Sequence, residues 1–162
     1  MLNYIENQLT IAGNRNQLLK VKELLDSGRY KYIDFNQVIP IPHNLEEKNL
    51  IDWKGENWCS GNAFDIEVVE EGKEQIRYIF NTKYSAPIYI YIKISEMFPD
   101  LLFLAAIDSY EVPLSFRDLR IYFNGGLIKS RCEYYCDGSD SEECKTCKTI
   151  NTRRLAPKCE NQ

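Results

Sequence analysis

Ser85-Ala-Pro-Ile-Tyr-Ile-Tyr-Ile-Lys-Ile-Ser-Glu-Met-Phe-Pro99 carries two periodicities at once, and the choice between them sets the topology of the whole chain. Ile88, Ile90, Ile92 and Ile94 alternate with the period of two that marks a strand. Yet Ser85 before Ala86-Pro87 is a helix start, because proline is tolerated in a first turn whose N–H groups have no partner anyway. Ser-Glu-Met-Phe running into Pro99 is a helix end. A helix is the better reading, because it completes a regular order of elements: strand, helix, strand, hairpin, helix, strand and a last hairpin.

Upstream of this stretch, Gln8–Gly13 is short and β-compatible, and it leads into Asn14-Arg-Asn-Gln17-Leu-Leu-Lys-Val-Lys-Glu-Leu-Leu-Asp-Ser-Gly28. Asn14 with Gln17 three residues later forms a capping-box pattern. Leu18, Val21, Leu24 and Leu25 share one face, and Gly28 supplies the stop. A second extended segment is expected at Phe35–Ile39, ended by Pro40 and Pro42. Residues 44–62, with Trp53 and Trp58, read as an irregular insertion. Phe64–Val69 and Gln75–Phe80 flank a Glu-Glu-Gly-Lys turn and read as a β-hairpin. Downstream, Leu101–Ile107 and Leu119–Phe123 read as strands, with Gly125-Gly126 turning the chain into Leu127–Ser130.

The expected fold class is α+β: a ferredoxin-like antiparallel sheet with two helices on one face, over residues 1–131, followed by a cysteine-rich appendage over 132–162. A chain of 162 residues can bury about two-thirds of its unfolded surface, so the body needs no cross-links. Apolar residues at 44% and charged residues at 27% place it among globular proteins rather than disordered ones. A net charge of −4 argues against wholesale binding to a phosphate backbone. Met1-Leu-Asn-Tyr-Ile-Glu-Asn has no basic segment followed by an apolar one, and the apolar runs fall far short of the roughly 20 residues that span a bilayer. No membrane association and a cytoplasmic location are therefore expected.

Several short motifs, in a fixed order, carry a resemblance. They are Asn7-Gln-Leu-Thr-Ile-Ala-Gly13, Ile39-Pro-Ile-Pro42, Glu56-Asn-Trp-Cys-Ser-Gly-Asn-Ala-Phe-Asp65, Thr82-Lys-Tyr-Ser-Ala-Pro87, Phe98-Pro-Asp-Leu101 and Gly125-Gly126. Together they make residues from about 5 to 130 resemble the YubB-type ferredoxin-like family, small proteins of plasmids and phages. The resemblance implies a fold and a mobile-element origin, and it brings no catalytic residue with it. Two departures stand out: Cys59 occupies a position where that family has glycine, and Tyr84 one where it has tryptophan.

Five of the six cysteines, Cys132, Cys136, Cys144, Cys147 and Cys159, lie beyond the resemblance. Spacings of two to four residues suit the tetrahedral thiolate shell of zinc, and Cys132, Cys136, Cys144 and Cys147 are the best four ligands. Tyr134, Tyr135, Ile150 and Leu155 are the sizeable apolar side chains there, worth about 1.5–3 kcal/mol each if buried. Backbone ordering costs about 1–2 kcal/mol for every residue fixed, so burial by this segment alone loses severalfold. A structural zinc, thiols on a tail docked against the body, and disulfides are the alternatives. A reducing compartment disfavours the last. A redox role for Cys144-Lys-Thr-Cys147 is weaker, because the acidic residues before it raise a thiol pKa.

No catalytic site is legible. His43 and Cys59 lie in one irregular segment, but a loop histidine and a half-buried thiol are the simpler reading. Asp65 and Glu67 share a strand face that is expected to be solvated. Tyr89, Tyr91, Tyr122 and Phe123 could stack bases on a sheet, but without interleaved basic residues packing is the better account. Charge distribution says more. Residues 44–76 hold nine acidic side chains, among them Glu46, Glu47, Glu67, Glu70, Glu71 and Glu74, against three basic ones. This segment is six units negative and the remainder two units positive, an asymmetry that steers association with a basic protein surface. The expectation is a non-enzymatic protein-binding module of a phage or mobile element, an inhibitor that occludes a host defence nuclease of CRISPR type. The alternative is a nucleic-acid-binding or regulatory protein with a zinc-stapled tail.

Overall fold

The structure, a computed structural model, describes residues 4–26, 28, 33–110 and 115–135. Six strands form one antiparallel sheet: β1 (Tyr4–Ala12), β2 (Phe64–Glu71), β3 (Gln75–Lys83), β4 (Leu102–Ser109), β5 (Ser115–Phe123) and β6 (Gly126–Tyr135). Their spatial order is β2-β3-β1-β4-β5-β6. Three α-helices accompany them among the described residues, one more than expected: α1 (Arg15–Asp26), α2 (Leu50–Trp58) and α3 (Ile88–Met97).

Alternation along the strands puts one face of the sheet in the core. Ile5, Leu9 and Ile11 of β1, Ile76, Tyr78 and Phe80 of β3, and Phe103, Ala105 and Ile107 of β4 pack with Leu18, Val21 and Leu25 of α1 and with α3. Asn14 caps α1 as expected, its side-chain oxygen accepting from the Gln17 amide at 3.0 Å. Stretch 88–97 is a helix, and its confusing pattern has a cause. Ile88, Tyr91 and Ser95 are buried along one line and Ile90 and Ile94 along another, while α2 packs against α3 as well. A helix covered on more than one side loses the single apolar stripe that gives away its period. Pro87 takes the N-cap position, so Ser85 is left for another contact.

Four expectations need correcting. Phe35–Gln37 forms a short 3-10 helix instead of a strand, because the Asp34 carboxylate accepts from the Asn36 amide at 3.0 Å and Asn36 in turn accepts from the Ile41 amide at 2.7 Å. Local side-chain acceptors here outcompete a ladder. Residues 44–62 are not irregular throughout: a 3-10 helix (Glu47–Asn49) leads into α2. Gly55 and the wide separation of Trp53 and Trp58 hid that helix. The last hairpin turns at Asn124-Gly125, both with positive φ (48° and 76°), so Gly126 already belongs to β6. Finally, the 131/132 boundary falls inside a strand, since β6 runs to Tyr135 and pairs Cys132 with Asp118. An appendage beginning at Cys132 is therefore not what the fold has. Residues 136–162, and with them Cys136, Cys144, Cys147 and Cys159, lie outside the described residues.

Candidate functional site

A cleft of about 1380 Å³ opens where the end of α2, the start of β2 and the turn between β3 and α3 meet. Trp58 anchors one wall. Its indole donates to the Ile39 carbonyl at 2.9 Å and packs edge-on against Phe35 and Trp53, each 5.7 Å away. Lys54 lies over the Trp58 ring at 5.1 Å and donates to Asn62 at 2.8 Å, so the helix holds the 59–63 connection through both a cation–π contact and a hydrogen bond. Burial pulls the Lys54 ammonium below its usual pKa, opposed by the charge of Asp34. Across the cleft, Tyr4 and Phe64 meet edge to face at 5.2 Å.

Of the four non-glycine residues with left-handed backbone among the described residues, two line this cleft and a third lies between the lining residues Phe64 and Ile66. They are Cys59 at the end of α2 (φ 67°), Asp65 at the bulged start of β2 (φ 50°) and Tyr84 in the turn before α3 (φ 70°). Each costs about 1–3 kcal/mol of backbone strain, which persists only where surrounding contacts enforce it. One such contact is visible: the hydroxyl of Ser85 donates to the carbonyl of Cys59, tying the two strained turns together. Glycine is favoured at left-handed positions, which gives a physical meaning to the glycine expected at 59 by the resemblance. Ile51, 75% exposed, and Tyr84, 68% exposed, stand at the rim.

Residues that are far apart in sequence are thus brought together. The stretches Glu56–Asp65 and Thr82–Pro87, singled out above for their resemblance, both contribute lining residues, and Tyr4 and Ile51 join them. The motifs pointed to this place; Lys54, Tyr4 and Ile51 had no signal of their own in the sequence.

The acidic residues are carried by two elements. Glu46 and Glu47 flank the start of the 3-10 helix before α2, with Glu46 paired to Lys48 at 2.6 Å. Glu67, Glu70, Glu71 and Glu74 belong to the β2–β3 hairpin. There Glu70 pairs with Arg77 at 3.1 Å and accepts from Gln75 at 2.6 Å, and Glu71 pairs with Lys22 at 2.7 Å. Exposed pairs of this kind are worth about 0–1 kcal/mol, but they offset part of the negative charge counted in the sequence.

The remaining candidates separate. His43 is exposed while Cys59 is buried. Asp65 and Glu67 are both exposed on β2. Tyr91 and Tyr122 are in the core, Tyr89 lines the cleft and Phe123 lies on the open face of the sheet, so the four aromatics make no common stacking surface. Cys132 sits in β6; among the described residues no group of three or more histidine, cysteine or carboxylate side chains is placed to hold a metal. No helix among them is long and apolar enough to cross a membrane.

No family model matches the chain, and no curated protein matches it. Its fold is similar to the crystal structure of the protein api92 from Yersinia pseudotuberculosis, of the family DUF1281. The two superpose with a TM-score of 0.65 over 86% of this chain and 100% of the other, at 8% sequence identity. At that identity the likeness concerns the fold alone.

Proposed function

We propose that this chain is a non-enzymatic protein-binding module of a phage or other mobile element that occludes a host defence nuclease of CRISPR type in the host cytoplasm. The body is read as ferredoxin-like, a reading supported by the spatial order β2-β3-β1-β4 with α1 and α3 as its crossovers, extended by β5 and β6. The observation that carries the proposal is the convergence of two distant segments on a cleft rimmed by exposed Ile51 and Tyr84. An exposed aromatic held in a strained backbone beside an exposed aliphatic is the composition of an interface anchor. Asp52 and Glu56 on α2 line the same cleft, and Glu46 and Glu47 precede it in sequence. A partner surface with an apolar side chain set among basic ones is therefore the best match.

Tyr84→Gly tests this without the ambiguity of an unfolded variant. It relieves a left-handed residue whose side chain is mostly in water, and should stabilise the chain by about 1 kcal/mol, a rise in Tm of roughly 2–4 °C for a protein of this size. The same variant should lose capture of purified CRISPR-type nuclease complexes, and block of their DNA cleavage, at least about tenfold, the equivalent of one interface anchor. A salt-sensitive shift of bare DNA or RNA with no protein captured would instead favour the nucleic-acid reading.

A structural zinc held by Cys132, Cys136, Cys144 and Cys147 remains part of the proposal. Placing Cys132 on β6 means such a site would tie the following segment to the sheet edge. Native mass spectrometry should show one zinc that chelation removes; a metal-free chain with unaltered stability ends that reading.

A further inference from the structure

Ser95 is fully buried near the end of α3, and its hydroxyl holds the tip of the last hairpin. It donates to the Ile92 carbonyl at 2.8 Å and, with its remaining lone pairs, accepts from the backbone amide of Gly125 at 3.1 Å. Gly125 follows Asn124, and these two residues form the tight turn between β5 and β6. Turn and helix are in close contact there: a Cβ added at Gly125 would lie 3.2 Å from the Cβ of Glu96. Asn124 is also the only asparagine in the chain that is followed by glycine. That dipeptide loses its side-chain amide more readily than other asparagine pairs, because a residue without a Cβ leaves its backbone nitrogen open to approach the carboxamide.

We infer that Asn124 is a spontaneous deamidation site kept dormant by the Ser95 hydroxyl. In the reaction the Gly125 nitrogen gives up its proton and bonds to Cγ of Asn124. The side-chain nitrogen takes up a proton and leaves as ammonia, and a cyclic imide remains. Water then opens the ring at either carbonyl, giving aspartate or an isoaspartate whose backbone runs through the former side chain. Asn124 is exposed and its carboxamide makes no hydrogen bond among the described residues, so the carbon under attack is free. The attacking nitrogen is what the fold controls. While it donates to a buried acceptor it keeps its proton, which points away from water and base. Left-handed backbone at both turn residues adds a second restraint, since attack requires the peptide plane between them to swing toward Cγ. Deamidation therefore needs the hairpin tip to lift off α3, and the modification records that opening. Isoaspartate adds a backbone atom to a turn whose length fixes the pairing of β5 with β6, so the modified tip does not close again in the same register. None of this involves the cleft.

Peptide mass mapping around residue 124, on the full chain incubated in mildly alkaline buffer, tests the latch. The folded chain should deamidate there at least about tenfold more slowly than the same chain in concentrated urea, since the amide must first leave Ser95. Ser95→Ala should raise the rate in the folded chain about tenfold, the factor set by an ordinary hydrogen bond. Tyr91→Phe removes a hydroxyl one turn away on α3 without touching Gly125, and should leave the rate near that of the parent. Should Ser95→Ala fail to fold, hydrogen exchange at the Gly125 amide of the parent carries the test, with protection of at least about tenfold over the unfolded chain expected. Equal rates in folded and unfolded chain overturn the inference, as does a Ser95→Ala chain that matches the parent. So does a Tyr91→Phe chain accelerated as much as Ser95→Ala, or a Gly125 amide that exchanges as freely as in the unfolded chain.

Discussion

Asp118→Ala should destabilise the chain by about 3–5 kcal/mol, more than the loss of any surface ion pair. Asp118 and Arg120 occupy core-facing positions on β5, with side chains only 6% and 3% exposed, and the guanidinium donates to the carboxylate at 2.7 Å. The neighbouring Tyr122 phenol contributes to the surroundings of the same guanidinium. Removing the carboxylate leaves a buried cation whose main partner is gone, and a guanidinium cannot shed its proton to escape. The pair Lys22–Glu71 is the proper contrast. Its side chains are 30% and 49% exposed, and Glu71→Gln should cost no more than about 1 kcal/mol. Urea unfolding of both variants separates the two regimes. The double variant Asp118→Leu/Arg120→Met should recover much of what Asp118→Ala loses, since a well-packed apolar pair can replace a buried ionic one. An Asp118→Ala chain within about 1 kcal/mol of the parent would show that water reaches this pair.

Neither residue of that pair was legible as structural in the sequence, and the reason generalises to the site. A core ion pair two residues apart on one strand, Asp118 and Arg120, looks in sequence like ordinary surface charge, because alternation names a face but not which face is buried. The β2–β3 hairpin, α1 and the helix at 88–97 were readable because each carried a local signature: a turn, a cap, or a proline at an entry. α2 was not, since its stability comes from Trp58 inserting against Phe35 and Ile39, a contact between segments that no window of sequence contains. The cleft was half legible. Its lining stretches 56–65 and 82–87 were singled out, but their meeting depends on hydrogen bonds between distant elements, among them Ser85 to Cys59. The acidic segment 44–76 was misleading in a different way: net charge counts residues, and partners such as Arg77 and Lys22 come from outside the count or from across the sheet.

Asn7→Leu should cost about 3–4 kcal/mol, because Asn7 is the junction of a polar network that crosses the core. Fully buried on β1, its amide donates to the Ile5 carbonyl and to the Thr82 hydroxyl, each at 3.0 Å, and its oxygen accepts from the Tyr91 hydroxyl of α3 at 2.9 Å. Thr82 on β3 passes the network on, donating to the Ser85 carbonyl at 2.8 Å, and Ser85 reaches Cys59 at the end of α2. A leucine of the same branched shape at position 7 leaves the Tyr91 hydroxyl buried with its acceptor removed, so the double variant Asn7→Leu/Tyr91→Phe should be less destabilised than the two singles added together. Alkali offers a second readout. Burial, reinforced by the neighbouring Tyr122, pushes the Tyr91 hydroxyl well above the usual tyrosine pKa. A raised folded-state pKa means a stabilising contribution fully present below the unfolded value, about 10, and lost progressively as pH climbs above it. The parent chain should therefore lose thermal stability between about pH 10 and 11.5 more steeply than Tyr91→Phe does. Equal slopes would mean that solvent reaches the hydroxyl, and with it that the β3–α3 turn bearing Tyr84 is not held from below as described.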